Sequence, residues 1–114
     1  MDHATLLAHF LDDEVLLNEM VARLLARLPS ELDAMRSASA DGDVAAVHEV
    51  AHSLKGSLGL FGPSAVYDVV CRLELVSRNG DPDAAALELN ALEGSAGHMM
   101  AELRRLVPGA LDPT

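Results

Sequence analysis

Apolar residues recur at alternating intervals of three and four along most of the chain, in stretches divided by turn-forming residues. Because an α-helix has 3.6 residues per turn, this spacing gathers apolar side chains on one helix face, whereas a half-buried strand alternates every second residue. The four stripes are Leu17, Val21, Leu24 and Leu28; Val44, Val47, Ala51, Leu54, Leu58 and Phe61; Val66, Val69, Val70, Leu73 and Val76; and Ala85, Leu89, Leu92, Ala96, Met99, Leu103 and Leu106. The sequence therefore predicts four amphipathic helices.

Capping residues set the expected limits of the first half of the chain. A short helix is predicted over Thr5–Leu11, and Asp12 or Asp13 is expected to cap the first long helix. Proline lacks the N–H of the helix ladder, so Pro29 is expected to kink that helix or to restart it. The helix is expected to fade over residues 37–40.

Turn residues separate the remaining helices. Asp41-Gly42-Asp43 precedes a helix over about Asp43–Leu60, which Gly62-Pro63 ends. Ser64 is expected to cap the fourth helix. Asn79-Gly80-Asp81-Pro82 combines a residue suited to the left-handed conformation, a cap and a proline suited to the first helical turn, so it predicts a boundary before the last helix.

Length and composition fix the fold class. The 114 residues allow one domain, with a bundle over about 12–107 and a polar tail beginning at Pro108-Gly109. Leu, Ala, Val and Met supply most of the apolar content, and only 3% of residues are aromatic. Such a composition favours helix over strand. We predict an all-α protein: an antiparallel four-helix bundle with a short N-terminal helical extension.

Charge and cysteine usage exclude several functions. The net charge of −10 repels phosphate backbones, so no nucleic-acid partner is expected. No apolar run is long enough to span a bilayer, so no membrane partner is expected either, and the N-terminus lacks the pattern of a signal peptide. A single cysteine, Cys71, forms no internal disulfide and fits a reducing compartment. A cytoplasmic location is predicted.

One face of the central helix carries an unusual set of residues. His48, His52, Lys55, Gly56 and Gly59 cluster at least a quarter-turn away from the core stripe. The lysine is the only one in the chain, and two glycines inside a helix cost stability and need a reason. Close approach of another protein's backbone is one such reason. A solvated polar face is the simpler alternative.

The stretch His48-Glu49-Val50-Ala51-His52 matches the H-E-x-x-H pattern of zinc hydrolases, in which two histidines bind the metal and the glutamate is the base. The pattern still needs a third ligand. Glu74 is a distant candidate, and the ammonium of Lys55 opposes a second positive centre. A zinc metallohydrolase is therefore kept as an alternative, with no metal site as the primary expectation.

The stretch Ala51-His52-Ser53-Leu54-Lys55-Gly56-Ser57 resembles the A-H-x-L-K-G-[SA] signature of histidine-containing phosphotransfer (HPt) domains. The similarity extends from about Asp13 to Leu106 and includes Leu73-Glu74 and Arg78-Asn79-Gly80-Asp81. It implies that His52 accepts a phosphoryl group from a receiver-domain aspartate and passes it to another receiver. It also implies response-regulator receivers, or a hybrid sensor histidine kinase, as partners.

The resemblance implies further roles at the site. Lys55 stabilises phosphoryl charge, Gly56 leaves clearance for a docking receiver, and Mg²⁺ is expected on the receiver, with no cofactor on this chain. Possible accessory residues are His48, Ser53, Ser57 and Gly59. The expected protein is a phosphohistidine carrier and not an enzyme, without autokinase activity, because no Gly-rich phosphate loop follows. An inert HPt-like interaction bundle is the remaining alternative.

Overall fold

The computed structural model describes residues 1–111 of the chain, and all of its regular elements there are helical. Residues 112–114 lie outside the described part. In chain order the helices are α1 (His3–His9), α2 (Glu14–Ala40), α3 (Val44–Gly59), α4 (Ala65–Arg78), α5 (Pro82–Leu106) and the 3₁₀ helix α6 (Pro108–Leu111). The predicted all-α class is confirmed.

The four long helices close into a ring. Helix α3 contacts α2 and α4, and α5 contacts α4 and α2. The connections cover only residues 41–43, 60–64 and 79–81, and such short turns reverse the chain, so consecutive helices run antiparallel. The short α1 packs on α2, in agreement with the predicted N-terminal extension.

N-caps hold the starts of the four long helices at the predicted places. In each case a side-chain oxygen accepts from the backbone N–H three residues on, which satisfies one of the free donors of the first turn. The caps are Asp13, Asp43, Ser64 and Asp81. Gly80 has φ of 76°, the left-handed conformation that the sequence predicted before the last helix.

Helix α2 runs through Pro29, so the predicted restart at this residue does not occur. The prolyl nitrogen removes one rung of the ladder, but Leu28 and Leu32 are buried on either side and hold the helix against the core. The Ser30 hydroxyl donates to the Arg27 carbonyl at 3.0 Å within the same turn. Packing on both sides of the proline therefore outweighs the local loss, and the helix continues to Ala40.

The core consists of the predicted stripes. All of their members are buried except Val44, Val76 and Leu106, which are half-buried. The N-terminal extension adds Leu6 and Phe10, and the ring of Phe10 meets that of Phe61 edge-on at 5.1 Å. These contacts join α1 to the end of α3.

The two ends of the chain differ from the predicted limits. Helix α1 ends at His9 instead of Leu11, because Leu11 and Asp12 have φ of 60° and 57°, a left-handed pair that cannot continue a helix. The expected polar tail at Pro108-Gly109 is wrong over residues 108–111. They form α6, which packs on α2 and α5 next to the buried Val107.

Candidate functional site

The predicted site residues lie together on the face of α3 that adjoins α4. His52 is the most open of the side chains that carry chemistry, at 68% exposed, and Gly56 and Gly59 are exposed as well. His48 and Lys55 are half-buried. The stripe deduced from helix geometry is therefore confirmed as exposed or half-exposed, and the core stripe occupies the opposite side of α3.

A carboxylate from the neighbouring helix organises this face. Glu74 of α4 is a nearly buried acid, with its side chain 9% exposed, and its Oε2 lies 2.9 Å from Nζ of Lys55. Contact with Lys55 lowers the pKa of Glu74 below its ordinary value of 4.5, against the opposing effect of burial. The same contact raises the pKa of Lys55 above 10.5. Glu74 is thus an anion at neutral pH and Lys55 its counter-ion.

The second oxygen of this carboxylate faces His52. Nδ1 of His52 lies 3.3 Å from Oε1 of Glu74. An ionised carboxylate only accepts hydrogen bonds, so Nδ1 of His52 must carry the proton. In the neutral ring the lone pair is then on Nε2, at the open end of the side chain. The neutral form of His52 therefore has its nucleophilic nitrogen at the exposed end of the ring.

His48 is held by the backbone of the same acid. Its Nδ1 donates to the main-chain carbonyl of Glu74 at 3.1 Å, since a carbonyl can only accept. The rings of His48 and His52 lie nearly parallel, 24° apart in plane, with their centres separated by 6.2 Å. One residue of α4 therefore fixes two imidazoles of α3 in the same tautomer.

Arg27 of α2 borders the site on its other side. Its Nη2 donates to Oγ of Ser53 at 2.6 Å, and its Nη1 donates to Oγ of Ser57. Its Nε donates to Glu31 at 2.6 Å, one turn on along α2. The two serines that the sequence placed at the edge of the site are thus partners of a guanidinium.

The two glycines of the face have different surroundings. A Cβ added at Gly56 would meet no atom within 4 Å, so nothing in the described chain fills the space above it. A Cβ at Gly59 would lie 3.5 Å from the ring of Tyr67, which is ordinary contact. Open space beside His52 is therefore a property of Gly56, whereas Gly59 adjoins α4.

An apolar groove continues from the Arg27 side of the site. It has a volume of about 530 Å³ and lies between α2 and the end of α3. Leu60 is 51% exposed at its wall. The lining residues are Met20, Arg23, Leu24, Ala26, Arg27, Ser57, Leu60 and Phe61.

The zinc alternative gains no support from this arrangement. Within residues 1–111 no group of three His, Cys, Asp or Glu side chains comes together to hold a metal ion. Glu49 is exposed on α3, and the nearby carboxylate of Glu74 already neutralises Lys55. His48 and His52 alone do not supply the third ligand that a catalytic zinc site requires.

Comparison with known proteins is informative at the family level. The model of the family described as Hpt domain matches residues 19–107. This chain belongs to the Hpt domain family. No curated protein and no solved structure matches the chain. The predicted resemblance is thereby confirmed, over nearly the stretch that the sequence motifs covered.

Family membership establishes the general activity. Hpt domains carry phosphoryl groups on histidine in two-component phosphorelays, are not enzymes as a class, and interact with receiver domains. No helix within residues 1–111 of this Hpt domain is long and apolar enough to cross a membrane.

Two residues of the site were missed by the sequence reasoning. Glu74 was named only as a distant candidate for a zinc ligand and received no role in phosphoryl transfer, although an acid directly after Leu73 and four residues after Val70 borders a buried stripe, where a charge requires a partner. Arg27 gave no signal, because both serines that it contacts are on another helix. Periodicity assigns a residue to a face of its own helix and says nothing about its neighbours on the next one.

Proposed function

We propose that this Hpt domain accepts a phosphoryl group on Nε2 of His52 from a receiver-domain aspartate and passes it to a second receiver. The observation that carries the proposal is the contact between Nδ1 of His52 and the Glu74 carboxylate, which leaves the lone pair on the exposed Nε2. That nitrogen attacks phosphorus, the N–P bond forms, and the O–P bond to the aspartate breaks. The aspartate leaves as a carboxylate.

Glu74 has a second part in this step. When Nε2 takes the phosphoryl group, the ring keeps its Nδ1 proton and becomes positively charged. A carboxylate 3.3 Å from Nδ1 stabilises that charge as it develops. On transfer to the next receiver the N–P bond breaks, and the ring returns to the neutral tautomer that Glu74 already favours.

Lys55 supports the same step through charge. Its ammonium is one helical turn beyond His52 and 2.9 Å from the Glu74 carboxylate, so it is held close to the reacting nitrogen. Phosphoryl transfer depends mainly on positioning and on stabilising charge over the phosphoryl oxygens. A fixed cation beside His52 meets that need, and Mg²⁺ would be supplied by the receiver.

The surroundings of His52 suit a protein donor. Gly56 leaves open space one turn along, and the groove beside Arg27 and Leu60 offers apolar contact next to the acceptor. Arg23 and Arg27 line that groove, and Lys55 lies on the α4 side of the same face, on a chain with a net charge of −10. The acidic pocket of a receiver domain complements cations placed on both sides of His52. We infer that both receivers dock over Gly56.

We further infer that the domain has no autokinase activity and acts in the cytoplasm. These 114 residues offer no Gly-rich loop to cradle nucleotide phosphates, so we infer that the phosphoryl group reaches His52 from a receiver domain. The single cysteine, Cys71, is free and half-buried, which fits a reducing compartment.

Labelling with phosphoramidate tests the acceptor without a cognate partner. The small donor phosphorylates histidine as its P–N bond breaks and ammonia leaves, and mass spectrometry of fragments locates the label. We expect label on His52, loss of that label in His52→Gln and retention in His98→Gln, whose site is an exposed position on α5. A folded protein with label spread evenly over its histidines would contradict the proposal and favour an inert interaction bundle.

A further inference from the structure

His48 takes no part in the transfer step proposed above, yet it is the histidine that the site holds most firmly. It lies one turn before His52 on the same face of α3, half-buried, with its ring 6.2 Å from that of His52. Its Nδ1 is fixed by the Glu74 carbonyl. A surface histidine without a task would not need this anchoring, so we ask what its free nitrogen can do. The argument rests on His52 as the phosphoryl acceptor.

The free nitrogen of His48 is Nε2. Because Nδ1 carries the proton in the neutral ring, Nε2 holds a lone pair in that state and an N–H only in the imidazolium. Among residues 1–111 no side chain or carbonyl forms a hydrogen bond with this atom, and it is not an enclosed atom. His48 can therefore add a donor to the site by taking up one proton from solvent.

The orientation of the two rings directs that donor toward the acceptor. Nδ1 of each imidazole faces Glu74, one at its carbonyl and the other at its carboxylate. Since Nε2 lies across each ring from Nδ1, both Nε2 atoms face away from Glu74, and the two ring centres are 6.2 Å apart. A phosphoryl group on Nε2 of His52 adds three strong acceptor oxygens next to Nε2 of His48.

We propose that His48 is a second phosphoryl-binding group of this Hpt domain: its imidazolium form donates from Nε2 to an oxygen of the phosphoryl group on His52. The neutral form turns a lone pair toward the same oxygens and repels them. No bond to phosphorus changes in this step, since one proton moves from solvent to Nε2. The site then holds the phosphoryl group between two cations, Lys55 beyond His52 and His48 before it.

The charges around His48 are few enough to interpret its titration. From α4 it faces the carbonyl and carboxylate of Glu74, and the latter is neutralised by Lys55. On α3 it faces His52, while Glu49 is exposed. No ion pair joins His48 to α2 or α5 in the described chain. A phosphoryl group on His52 would be the principal new charge in its surroundings.

Thermodynamic linkage couples the protonation of His48 to the phosphoryl group on His52, so a measurement of either one reports on the other. If the phosphoryl group favours the imidazolium of His48, protonation of His48 must favour the phosphoryl-bound state by the same factor. Attraction by a neighbouring group of charge near −2 is expected to raise the titration midpoint of His48 by about one pH unit. Phosphoryl occupancy would then depend on pH through a residue that is not the acceptor.

The test is an NMR titration of the intact protein before and after labelling with phosphoramidate, between pH 6 and 9. We expect the His48 ring resonance to titrate about one pH unit higher in the phosphorylated protein, whereas His98 on α5 is unchanged. The ³¹P resonance should show an inflection at the new His48 midpoint, and His48→Gln should lack it. Wild-type protein alone decides the first point, so the result does not depend on the variant folding.

The outcomes separate this inference from the one on which it rests. Label on His52 with equal His48 midpoints in the two states would overturn the role of His48 and leave the transfer function intact. Absence of label from His52 would overturn the transfer function, and the role of His48 with it. A raised midpoint together with an unchanged His98 supports both.

Discussion

The ammonium of Lys55 and the carboxylate of Glu74 meet 2.9 Å apart across the contact between α3 and α4. The pair joins the one lysine of the chain to an acid that also faces His52 at 3.3 Å. The position of each charged group depends on the other helix. The Lys55 side chain extends from α3 to α4, and the Glu74 side chain is nearly buried on α4. The surroundings of His52, the proposed acceptor, therefore depend on the packing of two helices.

Replacement of Glu74 by glutamine should alter the tautomer of His52. The amide would keep the size of the side chain, but it would be neutral and would no longer require a proton on Nδ1. We expect the Nδ1–H form to lose population in ¹⁵N NMR, and phosphoramidate labelling to slow about fivefold, the factor for one hydrogen bond of roughly 1 kcal/mol. Glu49→Gln is the matched control on exposed α3 surface and should change neither. An unaltered tautomer in Glu74→Gln would refute the orienting role.

Stability should depend on pH through the Lys55–Glu74 pair. The folded pKa of Glu74 is below 4.5, so the stability that it contributes is complete above pH 4.5 and is lost as the pH falls through the lowered value. The folded pKa of Lys55 is above 10.5, so its contribution is complete below that pH and is lost as the pH rises through the raised value. Between these limits the pair is intact.

Urea unfolding of wild type and Lys55→Met measures this effect. We expect the difference in free energy of unfolding to be largest near neutral pH and to shrink below pH 4.5, as Glu74 becomes protonated in both proteins. Arg72→Met is the control, since it removes a cation from a more open pair with Glu88. A difference between wild type and Lys55→Met that stays constant from pH 7 to pH 3 would show that the ion pair does not stabilise the fold.

Much of the fold could be predicted from the sequence because its signals are local. An apolar stripe or a cap such as Asp43 or Ser64 depends on residues within one or two turns, and those predictions are confirmed. The predictions are wrong where contacts between residues far apart in the sequence determine the local structure. Pro29 stays within α2 because Leu28 and Leu32 pack in the core, and residues 108–111 are helical because they meet α2 and α5.

The residues of the site also fall into those that one helix brings together and those that other helices contribute. His52, Lys55 and Gly56 were recognised because they occupy consecutive turns of one helix, whereas Glu74 and Arg27 join the site from α4 and α2. No periodicity within α3 contains that information. The signature predicts His52 as the acceptor, and the interhelical contacts determine the tautomer and the surroundings of that residue.

Substitution of Gly56 tests whether a docking receiver needs the open space at this residue, separately from any effect on the free energy of unfolding. Leucine at this position should raise the free energy of unfolding by about 0.5–1 kcal/mol, since glycine is a poor helix former and the space is open. Gly94→Leu on α5, also open, should stabilise similarly. Only Gly56→Leu should slow transfer from a phosphorylated receiver, by about tenfold, because overpacking a contact costs roughly 1–3 kcal/mol.

A small donor provides the internal check on Gly56. Phosphoramidate needs no docking surface, so both leucine variants should be labelled on His52 at the wild-type rate. Receiver transfer is then measured with any receiver domain that labels wild-type protein. If Gly56→Leu and Gly94→Leu transfer equally well, receivers do not dock over this glycine.

Arg27 should affect receiver docking more than it affects the acceptor. Arg27→Ala loses the hydrogen bonds to Ser53 and Ser57 beside Gly56 and removes a wall of the apolar groove. Arg36→Ala is the matched control, because Arg36 also joins α2 to another helix, through Glu93 of α5 at 2.6 Å. Each variant should lower the free energy of unfolding by about 1 kcal/mol, as expected for lost surface hydrogen bonds.

The two arginine variants should differ in transfer. Arg27→Ala is expected to slow phosphoryl transfer from a receiver about tenfold, corresponding to roughly 1.4 kcal/mol of docking free energy, while labelling by phosphoramidate stays near the wild-type rate. Arg36→Ala should leave both rates unchanged, since it lies on the α5 side of α2. Stopped-flow transfer with each variant, alongside urea unfolding, separates the two effects. Equal slowing by both variants would mean that the loss reflects general destabilisation, and the α2 side of the site would then have no special part in docking.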